Sequence, residues 1–350
     1  MMNITRLHSK VWSHLETRRS KLPHALLISG QRGVGKYDLI HSFAKSLLCE
    51  NPQKSKKDCS KCLACGWMAQ GNHPDFRLIQ PEAFAEEVAE SEGIEKGKKS
   101  SQQITIDQIR VLNDFLHVGT HRHGLRIVLI NPADAMNRST ANALLKSLEE
   151  PVVNTLFLLC SSEPYRLLPT IRSRCQSILV PPPSHDLALA WLNDRGIKNP
   201  RYYLALAGGS PLLAADLAQS DNKGVLGGLL GEWGKGSSID PIMAAVAIDR
   251  LMEAGKKNTF TLKRIVEWTQ KWLLDLALAG KGLGVRYFKS QTELLLQLSK
   301  STNTIDLLAF SRKAIQYRLY CEQPLNNRLF LEELFMTYKS LFLASKEHHV

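Results

Sequence analysis

An apolar run from His24 ends in GQRGVGKY, residues 30–37, and a helical pattern begins directly behind it; no other feature constrains the fold as much. The spacing G-x-x-x-x-G-K is that of a phosphate-binding loop between a strand and a helix. In such a loop, backbone amides at a helix N-terminus face the anion and the lysine reaches the outer phosphates. The candidates for this contact are Gly30, Gly33, Gly35 and Lys36. The next position takes Ser or Thr when the loop ligates magnesium; here it is Tyr37, whose hydroxyl is too far from the backbone to substitute. Two readings stay open. The loop holds ATP or ADP, or it keeps its shape for folding reasons and holds no nucleotide.

Residues 24–180 alternate short apolar runs with helical patterns, which predicts an α/β fold with a parallel sheet covered by helices. The runs are HALLISG from His24, DFRLIQ from Asp75, RIVLIN from Arg126, TLFLLC from Thr155 and QSILV from Gln176. Helices are predicted over 36–48, 106–116 and 135–148. A hydrolysing enzyme carries an Asp for magnesium and a Glu to activate water after the third of these runs. Here the residues are Asn131 and Pro132, and Asp134 is expected to cap the helix that starts near Ala135.

Two segments interrupt the alternation. The first holds Cys49, Cys59, Cys62 and Cys65 in the pattern C-x9-C-x2-C-x2-C. Four thiolates at this spacing can close a tetrahedral zinc shell, and a shell made wholly of protein ligands is structural, not catalytic. An iron–sulfur cluster is the rival, but no x3-C-P completes the ferredoxin pattern. The second segment, 81–102, carries Glu82, Glu86, Glu87, Glu90, Glu92 and Glu95 ahead of Lys96, Lys98 and Lys99, and reads as a loop.

Pro181, Pro182 and Pro183 end the last strand and offer Ser184 as a helix N-cap, so a boundary is expected there. The expected division is 1–182, an α/β domain with the cysteine module at 49–65; 183–222, a small helical domain; and 223–350, an all-α domain. A Gly-rich stretch at 224–236 leads into the amphipathic helices of the third.

From Glu163 the chain runs EPYRLLPTIRSRCQ, read as an irregular basic segment between two buried strands, with Arg172 and Arg174 flanking Ser173. A rigid exposed segment of this kind can deliver a guanidinium to a phosphate across an interface, the role of an arginine finger. A surface arginine without that task is the alternative.

The formal charge of +12 favours anionic partners such as nucleic acid or nucleotides, although solvated lysine faces produce the same count. Residues 1–20 lack the apolar core of a signal peptide, and no stretch reaches the roughly 18 apolar residues of a membrane span. A cytoplasmic protein without a membrane partner is expected, and in that reducing compartment clustered cysteines more often bind metal than pair.

In this order, GQRGVGK, the cysteine set, HPDF from His73, ITIDQIR from Ile104, NALLKSLEEP from Asn142 and LLPTIRSRC from Leu167 resemble the delta-prime family of bacterial DNA polymerase III clamp-loader subunits. The resemblance is close over residues 20–215 and looser beyond, where PLNNRLFLEELF from Pro324 carries it. It implies a RecA-like AAA+ P-loop domain with an inserted zinc module, a small helical lid and an all-α collar that joins subunits. It implies a member of a DNA-directed DNA polymerase (nucleotidyltransferase) holoenzyme with neither polymerase nor ATPase activity of its own. The implied partners are tau or gamma and delta subunits in a five-subunit ring that loads the sliding clamp on primed DNA, in the cytoplasm at the replicating nucleoid. The SRC motif, Ser173, Arg174 and Cys175, is implied as the finger, with Arg174 acting in trans on a neighbour's ATP. Hydrolysing relatives place a sensing arginine where Leu212 stands, a departure in line with Tyr37, Asn131 and Pro132.

Two other functions compete. An ATP-hydrolysing tau or gamma type of subunit needs the Asp and Glu missing at Asn131 and Pro132. A zinc-containing nucleic-acid-binding protein would be served by the charge and the cysteines, but no aromatic-studded basic groove is legible near the cluster, where Trp67 stands alone.

Overall fold

The computed structural model describes residues 3–51, 59–84, 101–117, 124–219, 223–254, 261–321, 323 and 325–343. The chain divides into two compact units, Met1–Trp191 and Leu192–Val350. Residues 85–100 of the acidic segment, expected to be a loop, lie outside the described residues, as do 52–58 between the first two cysteines.

The first unit is built on one sheet. Each of the five apolar runs forms a strand: β1 Ala25–Ser29, β2 Phe76–Ile79, β3 Arg126–Ile130, β4 Thr155–Ser161 and β5 Gln176–Leu179. Their order across the sheet is β2-β3-β4-β1-β5 and every pairing is parallel. The three central strands are buried at every position, as expected of a sheet covered on both faces, whereas the edge strand β5 exposes all but Ile178. One face packs Leu27, Val128, Phe157 and Leu159 against Ile109, Leu112, Leu144 and Leu148 of the helices Ile106–His117 and Arg138–Glu149.

Parallel strands place all their C-terminal ends at one side of the sheet, where open α/β sheets form their binding sites. Gly30, Asn131, Ser162 and Val180 follow β1, β3, β4 and β5 there.

Asp134 departs from expectation. It lies in a 3-10 turn, Ala133–Ala135, and its carboxylate accepts the Ser162 N–H at 3.0 Å. The expected helix starts only at Arg138, capped by Asn137, whose side chain accepts the Thr140 N–H at 2.9 Å. The delay has a local cause: Met136 pairs with Ile104 in an isolated parallel bridge, which holds it extended.

The second unit is helical in its described residues, with helices Pro200–Leu206, Pro211–Gln219, Lys223–Gly234, Pro241–Ala254, Leu262–Gly280, Thr292–Ser299, Thr304–Tyr320 and Asn327–Leu343. Its core is aromatic: Trp233 stacks on Trp272 at 5.3 Å, and the Tyr338 hydroxyl accepts Trp272 Nε1–H at 3.1 Å while donating to the Trp233 carbonyl at 2.7 Å. Buried Asp275 accepts three successive backbone N–H groups, from Arg286, Tyr287 and Phe288, at 2.7 to 2.8 Å.

The Gly-rich stretch at 224–236, expected to lead into the helices, is itself largely helix. Buried Val225, Leu226, Leu229 and Trp233 recur at helical spacing, and burial of that face outweighs the poor helix propensity of glycine. A Cβ at Gly228 would sit 2.6 Å from the Leu251 Cδ1 of the neighbouring helix, so that side chain would have to move to admit it. Among the described residues no helix is long and apolar enough to cross a membrane.

Candidate functional site

The loop after β1 has the backbone its glycines allow. Gly33 and Gly35 adopt φ of 72° and 94°, and Gly35 is the N-cap of the helix Lys36–Leu48 without side-chain capping. Gly30 passes so close to β5 that a Cβ on it would lie 2.4 Å from the Val180 carbonyl oxygen. His8 Nε2 lies 2.6 Å from the Val34 carbonyl, a bond it makes as the N–H donor when neutral, so the amino-terminal segment pins the loop from behind. His8 was not singled out in the sequence, because nothing in residues 3–17 marks a partner far along the chain.

Lys36 is closed off. It is 7% exposed, and its ammonium donates to the Gly30 carbonyl at 2.9 Å, the Gln31 carbonyl at 2.8 Å and the Ser162 hydroxyl at 2.9 Å. Three donors therefore meet three acceptors of the same chain. Burial lowers its pKa, with Asp134 acting in the opposite direction. Ser162, the second residue that sequence reasoning missed, links the two: its hydroxyl accepts from Lys36 and its N–H donates to Asp134. Tyr37 is occupied by packing, its ring stacked on His41 at 5.6 Å, and burial pushes its pKa up.

The four cysteines come together at the far end of the Lys36 helix. Cys49 is the C-cap of that helix, Cys62 is the N-cap of the helix Leu63–Ala69, and Cys65 lies in its first turn. All four sulfurs lie within 4.8 Å of one another, with 4.0 Å between Cys49 and Cys62 and 3.9 Å between Cys59 and Cys65. A tetrahedron with metal–sulfur bonds of about 2.3 Å has edges of about 3.8 Å, so the set fits a zinc-sized ion. Backbone N–H groups point at the sulfurs: Cys59 N–H at Cys49 Sγ, Cys62 N–H at Cys59 Sγ and Cys65 N–H at Cys62 Sγ, at 3.2 to 3.4 Å. Such donors spread thiolate charge and orient ligands. The Lys61 and Cys62 N–H groups pull the Cys59 thiol down to about 6, whereas burial pushes Cys65 up to about 12. A metal held by all four would take them as thiolates and release the protons that the set carries. Trp67 is half-buried and meets the ring of His73 edge-on at 5.8 Å.

The segment expected to be irregular before β5 is helical. A 3-10 turn, Pro164–Arg166, leads into the six-residue helix Pro169–Arg174, started by Pro169 and anchored by fully buried Ile171. Ser173 is exposed and its hydroxyl donates back to the Thr170 carbonyl at 3.0 Å. Cys175 is buried, with burial pushing its thiol up to about 11, which leaves it a packing residue. Arg172 is exposed. Arg174 is half-buried: Nη1 donates to the Thr170 carbonyl at 3.0 Å, and Nη2 pairs with the Glu149 carboxylate at 2.6 Å.

The structure gathers the cysteines into one cluster and the loop around Lys36. Arg174 stands apart, since its partners Thr170 and Glu149 are not those of Lys36.

A family model described as DNA polymerase III, delta subunit, matches residues 7–184. The DNA polymerase III subunit delta' of Pseudomonas aeruginosa is 31% identical over 360 residues, covering 97% of this chain and 99% of that protein. The subunit of the same name from Escherichia coli is 36% identical over 202 residues, 57% of this chain and 55% of that one. A solved DNA polymerase III gamma subunit-related protein of Thermotoga maritima aligns with a TM-score of 0.43 at 17% identity, covering 94% of this chain and 99% of that one. The similarity over the full chain, together with the family match across the first unit, makes this protein a member of the DNA polymerase III delta' subunit family.

Proposed function

We propose that this chain is a clamp-loader subunit that does not hydrolyse ATP itself and lends Arg174 to the ATP site of a neighbouring subunit. One observation carries the reading: Lys36, the residue a phosphate loop needs for its nucleotide, has all three donors satisfied inside its own chain. Tyr37, Asn131 and Pro132 add that the magnesium and water-activating positions lack the required chemistry. Arg174 keeps donors for another molecule. A guanidinium at a neighbour's outer phosphate stabilises charge that develops as the bond to that phosphate breaks.

In this reading residues 1–182 act as the RecA-like AAA+ domain, 183–222 as its lid and 223–350 as the collar through which the ring with tau or gamma and delta assembles. The helix Thr304–Tyr320 supports a ring contact, since Ile305, Leu308, Ile315 and Leu319 are exposed at heptad-like spacing opposite its buried Leu307, Phe310, Ala314 and Tyr317. The cysteine set holds a structural zinc that ties the segment after Cys49 to the Leu63 helix. The sliding clamp and primed DNA are reached through the complex.

The test is ATP turnover by the assembled complex, stimulated by clamp and primed DNA, with Arg174→Ala against wild type. Lower turnover at equal assembly is expected; equal turnover would leave the chain as a passive ring member.

A further inference from the structure

We propose that Glu149 is a positioning residue for Arg174, setting the guanidinium in the pose from which it meets a neighbour's phosphate; this rests on the arginine-finger reading above. Glu149 is the last residue of the helix Arg138–Glu149, and Arg174 is the last residue of the helix Pro169–Arg174. The two helix ends are joined by the 2.6 Å contact between Nη2 and the carboxylate. The second anchor is the Thr170 carbonyl, 3.0 Å from Nη1. Anchors on two nitrogens of one planar group, supplied by two different helices, fix its direction and its roll together.

An arginine has five N–H donors, so two anchors leave three for an incoming phosphate. The contrast within the motif is direct. Arg172 is exposed and has no ion pair among the described residues, so one arginine of the pair is oriented and the other is not. An arginine already held in one rotamer gives up less side-chain entropy on contact than a free one.

The weakness of the anchor matters as much as its geometry. The two side chains are 34% and 48% exposed, and pairs this open to water contribute little. Glu149 therefore selects a rotamer without withholding the cation from a triphosphate, which carries more negative charge than one carboxylate. Glu150 is exposed and forms no ion pair among the described residues, so the effect belongs to position 149 and not to local negative charge.

The experiment titrates ATP to saturation on the full complex, with clamp and primed DNA. Glu149→Ala should lower turnover by about two- to fivefold with an unchanged KM for ATP, the range an exposed pair can supply. Glu149→Gln, which keeps an oxygen acceptor, should recover most of the loss, and Glu150→Ala should match wild type. Combining Glu149→Ala with Arg174→Ala should be no slower than Arg174→Ala alone. Nitrogen-15 NMR of the Arg174 guanidinium should show freer rotation in the Glu149→Ala chain, at an unchanged melting temperature. If Arg174→Ala leaves turnover unchanged, the finger reading falls and this proposal with it. If Arg174→Ala slows turnover but Glu149→Ala equals or exceeds wild type, the positioning role alone is overturned.

Discussion

Lys36 and Arg174 are both cations in motifs that can meet a phosphate, and the fold treats them in opposite ways. Lys36 is buried with each donor on an acceptor of its own chain. Arg174 is about one-third exposed and uses two donors, on Thr170 and Glu149. The loop has the spacing of a nucleotide site and its lysine is turned inward; the SRC segment keeps its second arginine partly open to solvent. Residue type tells what a side chain can bind, but the donors left over decide whether it does.

Metal removal is the largest perturbation that should respect this contrast, because structural zinc sites in small peptides contribute on the order of 10–16 kcal/mol. One zinc per chain is expected, and chelation or Cys59→Ser should raise hydrogen exchange over Cys49 and the Leu63 helix while leaving the Arg174 segment protected. Iron with a visible charge-transfer band on metal analysis would overturn the assignment. Arg174→Ala comes next. Loss of such a finger can lower the rate by about 10³ to 10⁵ at the one site it serves, with a smaller loss for the whole complex because other sites remain. Arg174→Lys should rescue poorly, since lysine lacks the planar fork, and Arg172→Ala should be mild.

Lys36→Met should act on stability and not on turnover by the complex. It leaves the Gly30 and Gln31 carbonyls without their donor, a cost of about 1–3 kcal/mol in chemical denaturation. Abolished ATP turnover in that variant, with the fold intact, would erase the contrast by making the loop a working site. The smallest expected effect is that of pH. Burial lowers the pKa of His8 from 6.5, so the unfolded chain binds more protons than the fold below that value. Stability present above about pH 6.5 should fall as the pH drops through it, and His8→Gln should flatten that part of the curve.

The five strands were legible because buried parallel strands read as unbroken apolar runs, and the cysteine set was legible because metal ligands cluster in sequence. What escaped the sequence were contacts made across it. The bond from Lys36 to Ser162 joins residues far apart in the chain, and nothing local to either announces it. Asp134 was assigned to the nearest helix because sequence shows neighbours first, whereas the fold turns its carboxylate to Ser162. The glycines at 224–236 gave no helical signal of their own, and the packing of Trp233 and Leu229 explains the helix there.

The bare Cα of Gly30 has a consequence beyond nucleotide chemistry. Strand β5 is an edge strand held to the rest of the sheet by β1 alone, and it begins two residues after Arg174. Any side chain at position 30 would press on the Val180 carbonyl and push that strand outward. The glycine thus works as a spacer of zero thickness, letting the chain after β5 close on the chain after β1. A loop that never grips a nucleotide would still need this residue bare, because the edge of the sheet closes against it.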